Sequence, residues 1–275
     1  MTTGPVRVSS EWLRLREPAD GAARASELVE KVRSYLPTHG GATIHDLGCG
    51  TGSMARWLAV RLPGPQHWVM YDRDDELLTL AAEDPPDRAS DGTPVTMETR
   101  RRDITRMELV ELAGAALITA SALLDMMTAE ELERLVATCA GADCPVLIAL
   151  SVTGRVEITP VEPFDQSVID AFNAHQRRTT SAGKLLGPDA VGAAVDGFTR
   201  LGLEVLVRPS PWRLGPGHAA LAAAWFTGWL AGACEQRPEL RAHAPSYARR
   251  RLAEAAAGHL SVTVHHQDLL VVRPR

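Results

Sequence analysis

Between residues 42 and 152, five short apolar runs alternate with four helical windows. That alternation restricts the fold more than any other property of the chain. The runs cover 42–47, 66–71, 95–99, 116–120 and 146–152; the windows cover 53–61, 74–82, 105–112 and 129–140. Strands joined through helices pair in parallel, because the crossover carries the chain back to the starting edge before the next strand begins. Right-handed crossovers then lay helices on both faces of the sheet. Thr128, followed three residues later by Glu131, predicts a capping box at the start of the fourth window.

The flanks are less regular. Residues 1–19 read as a polar, irregular segment docked through Trp12, Leu13 and Leu15. A helix is expected over 20–36, capped by Asp20, with Leu28, Val29, Val32 and Leu36 at helical spacing. Residues 37–41, which include Thr38 and His39, stop it. After the fifth strand come helices near 166–178 and 188–202, a loop at 179–187, a strand at 203–208 and a bent strand at 260–272. A long Ala-rich helical stretch, 217–258, is split by Pro238 and Pro245. The expectation is an α/β, doubly wound, mostly parallel seven-stranded sheet over 42–275, with helical insertions at about 153–187 and 215–258. Residues 1–41 form an N-terminal helical lid.

Composition narrows the partners. Of 275 residues, 45% are apolar and 23% charged, with a net charge of −5. That balance gives no support for binding nucleic acid or acidic membranes. Arg100–Arg102 and Arg249–Arg251 read as solvated faces or helix ends. Cys49, Cys139, Cys144 and Cys234 show neither zinc-ligand nor disulfide spacing. With no signal-peptide pattern, they fit a reducing cytoplasm. The most apolar stretch, 219–234, is interrupted by Thr227, Gly228 and Gly232, so no membrane span is expected. His265 and His266 are adjacent on a strand and point to opposite faces, and no metal site is expected.

The chemistry concentrates in IHDLGCGTGSMARWL, residues 44–58. Asp46-Leu47-Gly48-Cys49-Gly50-Thr51-Gly52 follows a predicted strand and opens a predicted helix. Its glycines allow a tight turn and close approach to a ligand. A phosphate-binding loop of the Walker type ends in Gly-Lys-Ser/Thr, whereas this one ends in Gly52-Ser53-Met54. A dinucleotide fingerprint places its third glycine one residue later.

Asp46-x-Gly48-x-Gly50-x-Gly52 resembles the first motif of class I S-adenosylmethionine-dependent methyltransferases. The resemblance implies a Rossmann-like methyltransferase fold, S-adenosyl-L-methionine as cofactor, and methyl transfer as the reaction. In that family the acid lies beside the methionine end of the cofactor, and the glycine loop, here with Cys49 as a small residue, passes under it. Asp72 ends the second strand, where a carboxylate accepts both ribose hydroxyls. By the same resemblance Asp103 sits where the adenine amino group is contacted, Ile104 and Arg73 pack on the ring, and Ser121 faces the cofactor.

Acceptor-side expectations are sparser. Asp125 follows the fourth strand. Asn173 and Arg177 share a helix face, as do Phe172, His175 and Gln176. Trp212 beside Arg213 lies on the same rim. These make Asp125, Asn173, Arg177 and Trp212 candidate substrate contacts and His175 the candidate general base. Arg14, Arg16 and Arg24 are further candidates if the N-terminal segment folds over the site. Trp225, Phe226 and Trp229 fill a substrate cover, a subunit interface or the core, which leaves a homodimer open. A small-molecule O, N or C acceptor is expected. RNA methylation is the alternative, weakened by Ser121-Ala122-Leu123-Leu124 where base-amine methyltransferases carry Asn/Asp-Pro-Pro-aromatic. A non-catalytic cofactor-binding protein of the same fold is the other.

Overall fold

The computed structural model describes residues 8–37 and 40–274; Thr38 and His39, the first seven positions and the last one lie outside the described residues. Five parallel strands carry the first half: β1 (Ala42–Leu47), β2 (Gln66–Asp72), β3 (Val95–Arg101), β4 (Leu117–Ser121) and β5 (Val146–Thr159). The helices α3 (Ser53–Ala59), α4 (Asp75–Glu83) and α5 (Ala129–Gly141) run between them. Window 105–112 is not a helix but two 3₁₀ turns, Ile104–Arg106 and Leu109–Leu112. The predicted capping box forms, with Thr128 N–H donating to Glu131 (2.9 Å) and Glu131 N–H to the Thr128 hydroxyl (3.2 Å).

Two N-terminal helices, α1 (Ser10–Ala23) and α2 (Ser26–Arg33), replace the single helix expected over 20–36. Ser9 caps the first by accepting from Trp12 N–H, so the segment read as irregular is helical. The chain breaks at Arg24–Ala25, where Asp268 accepts the Ala25 N–H at 2.8 Å. Downstream lie α6 (Asp165–Gln176), the short hairpin β6 (Thr179–Thr180) and β7 (Gly183–Lys184), and α7 (Ala190–Arg200). They are followed by β8 (Glu204–Pro209), β9 (Trp212–Leu214), α8 (Ala219–Gln236), α9 (Ala244–Ala256) and β10 (Ser261–Val272).

The main sheet runs β3-β2-β1-β4-β5-β10-β8, with β10 antiparallel to both neighbours and short β9 added as an eighth strand on β10. One core lies between the sheet and α2, α3 and α4, with Trp68, Ile44 and Leu58 at its centre. A second lies on the opposite face under α5 and α7, around Tyr71, Ile118 and Phe198.

A third core was not visible in the sequence. β5 continues to Thr159 rather than ending near 152, and its outer half pairs with the first half of β10. This ribbon rises beyond the rim, and α6, α8 and α9 pack on it around Phe226, Trp229, Trp212 and Tyr247. Arg251, read as part of a solvated run, is fully buried there. Its register in α9 puts it inward with Tyr247 and Ala255. Its guanidinium donates to both oxygens of Asp165 (2.6 and 2.7 Å), to Pro160 O (2.6 Å) and to Glu254 (2.9 Å), and Tyr247 donates to Asp165 as well.

Candidate functional site

The site is the carboxyl-end rim of β1, β2 and β4, covered by α1. Asp46 pairs in register with Met70 on β2 and Thr119 on β4, so a carboxylate stands in the middle of the sheet, 1% exposed. The Thr119 hydroxyl donates to its Oδ1 at 2.7 Å; its Oδ2 has no hydrogen-bond partner among the described residues. Burial pushes its pKa up to about 6, opposed by the Thr119 hydrogen bond and by the Arg24 charge.

The loop after Asp46 needs its glycines. Gly48 and Gly50 have φ of +68° and +55°, the left-handed region that side chains disfavour. A Cβ on Gly48 would lie 3.0 Å from Leu123, and one on Gly50 3.1 Å from Leu13 of α1. The β4 loop and the N-terminal helix therefore touch the glycine turn from two sides. Cys49, between them, is buried, which pushes its thiol pKa up and leaves it poorly suited as a nucleophile. Gly52 has φ of +85° and precedes α3.

Asp72 braces this loop. Its Oδ2 accepts the Gly50 N–H at 3.0 Å and its Oδ1 the Asp74 N–H at 3.0 Å. Arg73, beside it, is exposed. Asp103 caps the first 3₁₀ turn, accepting from Thr105 N–H (3.1 Å) and Oγ1 (2.8 Å), and stays exposed. Ile104 turns into the core under α5.

Ser121 ends β4 and accepts from Arg24 Nη2 at 3.2 Å. Arg24 is 4% exposed. It also donates to Ser53 O (3.3 Å) and Oγ (3.1 Å), and its Nε has no partner among the described residues. Burial lowers its pKa, against the charges of Asp20, Asp46 and Asp268. Arg24 thus faces the glycine loop, not the acceptor side. Ala122, next to Ser121, is held at φ +53°, a strained conformation for a residue with a Cβ. Leu150 at the end of the parallel pairing is similar, at φ +56°, and its N–H donates to Asp268 at 2.8 Å.

The acceptor-side candidates divide. Asp125 follows Ala122 and Leu123 on the rim; burial raises its pKa against the charges of Arg16 and Arg178. Asn173 donates to Gly154 O at 2.9 Å, and Arg177 pairs with Asp189 at 2.6 and 2.7 Å. Both therefore pin α6 to its neighbours. Trp212 is 3% exposed and donates to Asp20 at 2.9 Å, with Arg16 stacked 4.9 Å from its ring. It anchors α1. His175 is half-buried, stacked on Phe172 at 6.0 Å and set against Gly232 of α8. Burial lowers its pKa, Arg178 adds to that, and Glu235 opposes it, so the imidazole is neutral at neutral pH.

Sequence reasoning missed Thr119 and Asp268, and it did not place Leu13 at the glycine loop. A lone hydroxyl in LITAS and a lone acid in HHQDLLVV were the available signals; Leu13 read only as a docking residue of the N-terminal segment, and its contact with Gly50 lies on a distant stretch. The described residues contain no group of His, Cys, Asp and Glu arranged to hold a metal.

Residues 44–142 match a family model described as a methyltransferase domain. No characterised protein matches the chain in sequence. Among solved structures, the cyclopropane synthase MmaA2 from Mycobacterium tuberculosis is 13% identical, with 96% of this chain and 94% of that one covered and a TM-score of 0.50. The mycolic acid cyclopropane synthase CmaA1, solved with S-adenosylhomocysteine (SAH) and CTAB, is also 13% identical, at 95% and 94% coverage and a TM-score of 0.50. A phosphoethanolamine N-methyltransferase from Haemonchus contortus is 16% identical with a TM-score of 0.43; the match covers 91% of this chain but 53% of that one. At these identities the likeness is one of fold.

Proposed function

We propose that this chain, whose residues 44–142 match a methyltransferase domain, is a class I S-adenosylmethionine-dependent methyltransferase that transfers a methyl group to an O, N or C atom of a small molecule. The observation that carries the proposal is a set of buried polar atoms left over at the glycine loop. Asp46 Oδ2 and Arg24 Nε are both without partners among the described residues. Buried polar atoms of this kind are costly unless a ligand satisfies them. A zwitterionic amino-acid end suits the pair: Asp46 takes the ammonium and Arg24 the carboxylate. Asp72 takes the ribose hydroxyls with its remaining lone pairs. Asp103 takes the adenine amino group, and Arg73 lies over the ring.

Bound there, S-adenosylmethionine supplies a methyl on a sulfonium, ready for in-line displacement. The chain's own share is alignment and exclusion of water. Leu13 and Leu123 close the two sides of the loop. His175, held neutral by burial, takes the proton where the acceptor atom carries one. Replacing His175 with alanine should then lower kcat about a hundredfold for protonated acceptors; unchanged turnover removes this role. A small acceptor is favoured over RNA because the net charge is −5 and no Asn/Asp-Pro-Pro-aromatic motif follows β4. Free cysteines suit the cytoplasm, and no helix among the described residues is long and apolar enough to cross a membrane.

Calorimetry with SAH tests the cofactor reading, which fails if no binding is measured. Its pH dependence is a sharper check. Asp46 titrates near 6 when folded, well above an ordinary carboxyl. Below that pH it is protonated and neutral, so it attracts no ammonium. Affinity is expected to rise with pH through about 6 and then level off. In Asp46→Asn the rise should vanish. A flat wild-type profile between pH 5 and 7 would show that Asp46 does not face the cation.

A further inference from the structure

We propose that the acceptor carries an oxyanion, a carboxylate or phosphate, gripped by Arg178 with Arg16 beside it, while Asp125 between them faces the group to be methylated. The inference rests on the methyltransferase reading and adds a substrate class to it.

The geometry comes from contacts along the rim. Leu123 touches Gly48 of the cofactor loop, and Asp125 follows two residues later. Met127 O accepts the Leu186 N–H at 2.8 Å, and Leu185 N–H donates to Arg178 O at 3.1 Å. The hairpin bearing Arg178 is thus zipped to the strand-end segment bearing Asp125. From the other side, α1 lies on the same loop through Leu13, with Arg16 one turn further on. Asp125 is close enough to both arginines for their charges to act on it.

Arg16 and Arg178 stand near two carboxylates, Asp20 and Asp125, but only the Arg16–Asp20 pair closes to hydrogen-bond distance. Arg16 is held by Asp20 at 2.9 and 3.1 Å and stacked between Trp12 (6.0 Å) and Trp212 (4.9 Å). Arg178 is half-buried, just past the end of α6, and among the described residues its guanidinium donates only to His175 O, at 3.2 Å, in the last turn of that helix. No carboxylate pairs with it among the described residues, in contrast to Arg177 beside it, which is fully engaged by Asp189. Partly burying a guanidinium without an anion costs free energy, and its planar fork matches a carboxylate or phosphate. The cofactor half of the rim, by contrast, presents Asp46, Asp72 and Asp103.

The test uses the intact protein saturated with SAH and three probes of one shape: benzoate, phenyl phosphate and neutral benzamide, titrated calorimetrically. Benzoate or phenyl phosphate should bind at least about tenfold more tightly than benzamide, and Arg178→Gln should remove that preference. Arg178→Lys should restore part of it, since charge survives and the fork does not. The anion preferred tells a carboxylate head group from a phosphate. Equal binding of all three probes, binding of none, or an Arg178→Gln protein that keeps the preference would each overturn the proposal. SAH is titrated first, so a protein that fails to bind it defeats the underlying reading instead, and visibly so.

Discussion

Replacing Asp72 with alanine is expected to weaken SAH binding about a hundredfold. The carboxylate has two jobs in one position. It holds the loop by accepting the Gly50 and Asp74 N–H groups, both at 3.0 Å, and in the proposed complex its outward lone pairs take the ribose hydroxyls. Each hydrogen bond to a charged acceptor contributes about 1.5–3 kcal/mol. At the lower end of that range, losing the two ribose bonds alone accounts for a factor of that size. Asp72→Asn separates the jobs. The amide oxygen still accepts one loop N–H, but the charge and one acceptor are gone, so an intermediate loss of about tenfold is expected. Calorimetry on both variants checks this, with a thermal melt showing that each still folds. Wild-type affinity in Asp72→Ala would refute the ribose assignment.

Asp165→Ala is expected to cost about 3–5 kcal/mol of stability, because it strands the fully buried Arg251. Asp165 accepts from Arg251 twice and from Tyr247 once. Glu254 at 2.9 Å, Glu162 at 3.7 Å and Pro160 O remain as partners, so part of the charge stays compensated and the loss is expected at the lower end of that range. The double variant Asp165→Leu/Arg251→Met should recover much of the loss, since an apolar pair needs no compensation. Chemical denaturation of the three proteins measures both effects. If Asp165→Ala unfolds like the wild type, the network is not holding α9 on α6 and β5.

Several features were legible because they depend on near neighbours. Alternating period and glycine turns gave the parallel half of the sheet, and the Thr128–Glu131 box was readable because both partners lie within one turn. Asp46, Asp72 and Asp103 were found at strand ends for the same reason: each is placed by its own strand. What misled was local ambiguity settled by distant packing. Window 105–112 has helical spacing, yet its residues are pinned between β3, β4 and α5 as two short turns. Asn173 and Arg177 looked like rim contacts, but Gly154 and Asp189, far along the chain, claim them. Arg251 looked solvated until Asp165 was brought to it.

The sequence by itself determined the order of strands and helices through the first half, the glycine turn, and the acids at its rim. These follow from residue spacing and from backbone conformations that only certain side chains permit. Tertiary structure alone decided that β5 and β10 run on as a ribbon carrying a third core. It also decided that α1 lies over the loop through Leu13, and that Arg24 is buried against Ser53 and Ser121 while no carboxylate among the described residues pairs with Arg178. Each of those depends on long-range burial. A charge or an apolar face is worth little until the fold chooses what stands opposite it, and no local pattern encodes that choice.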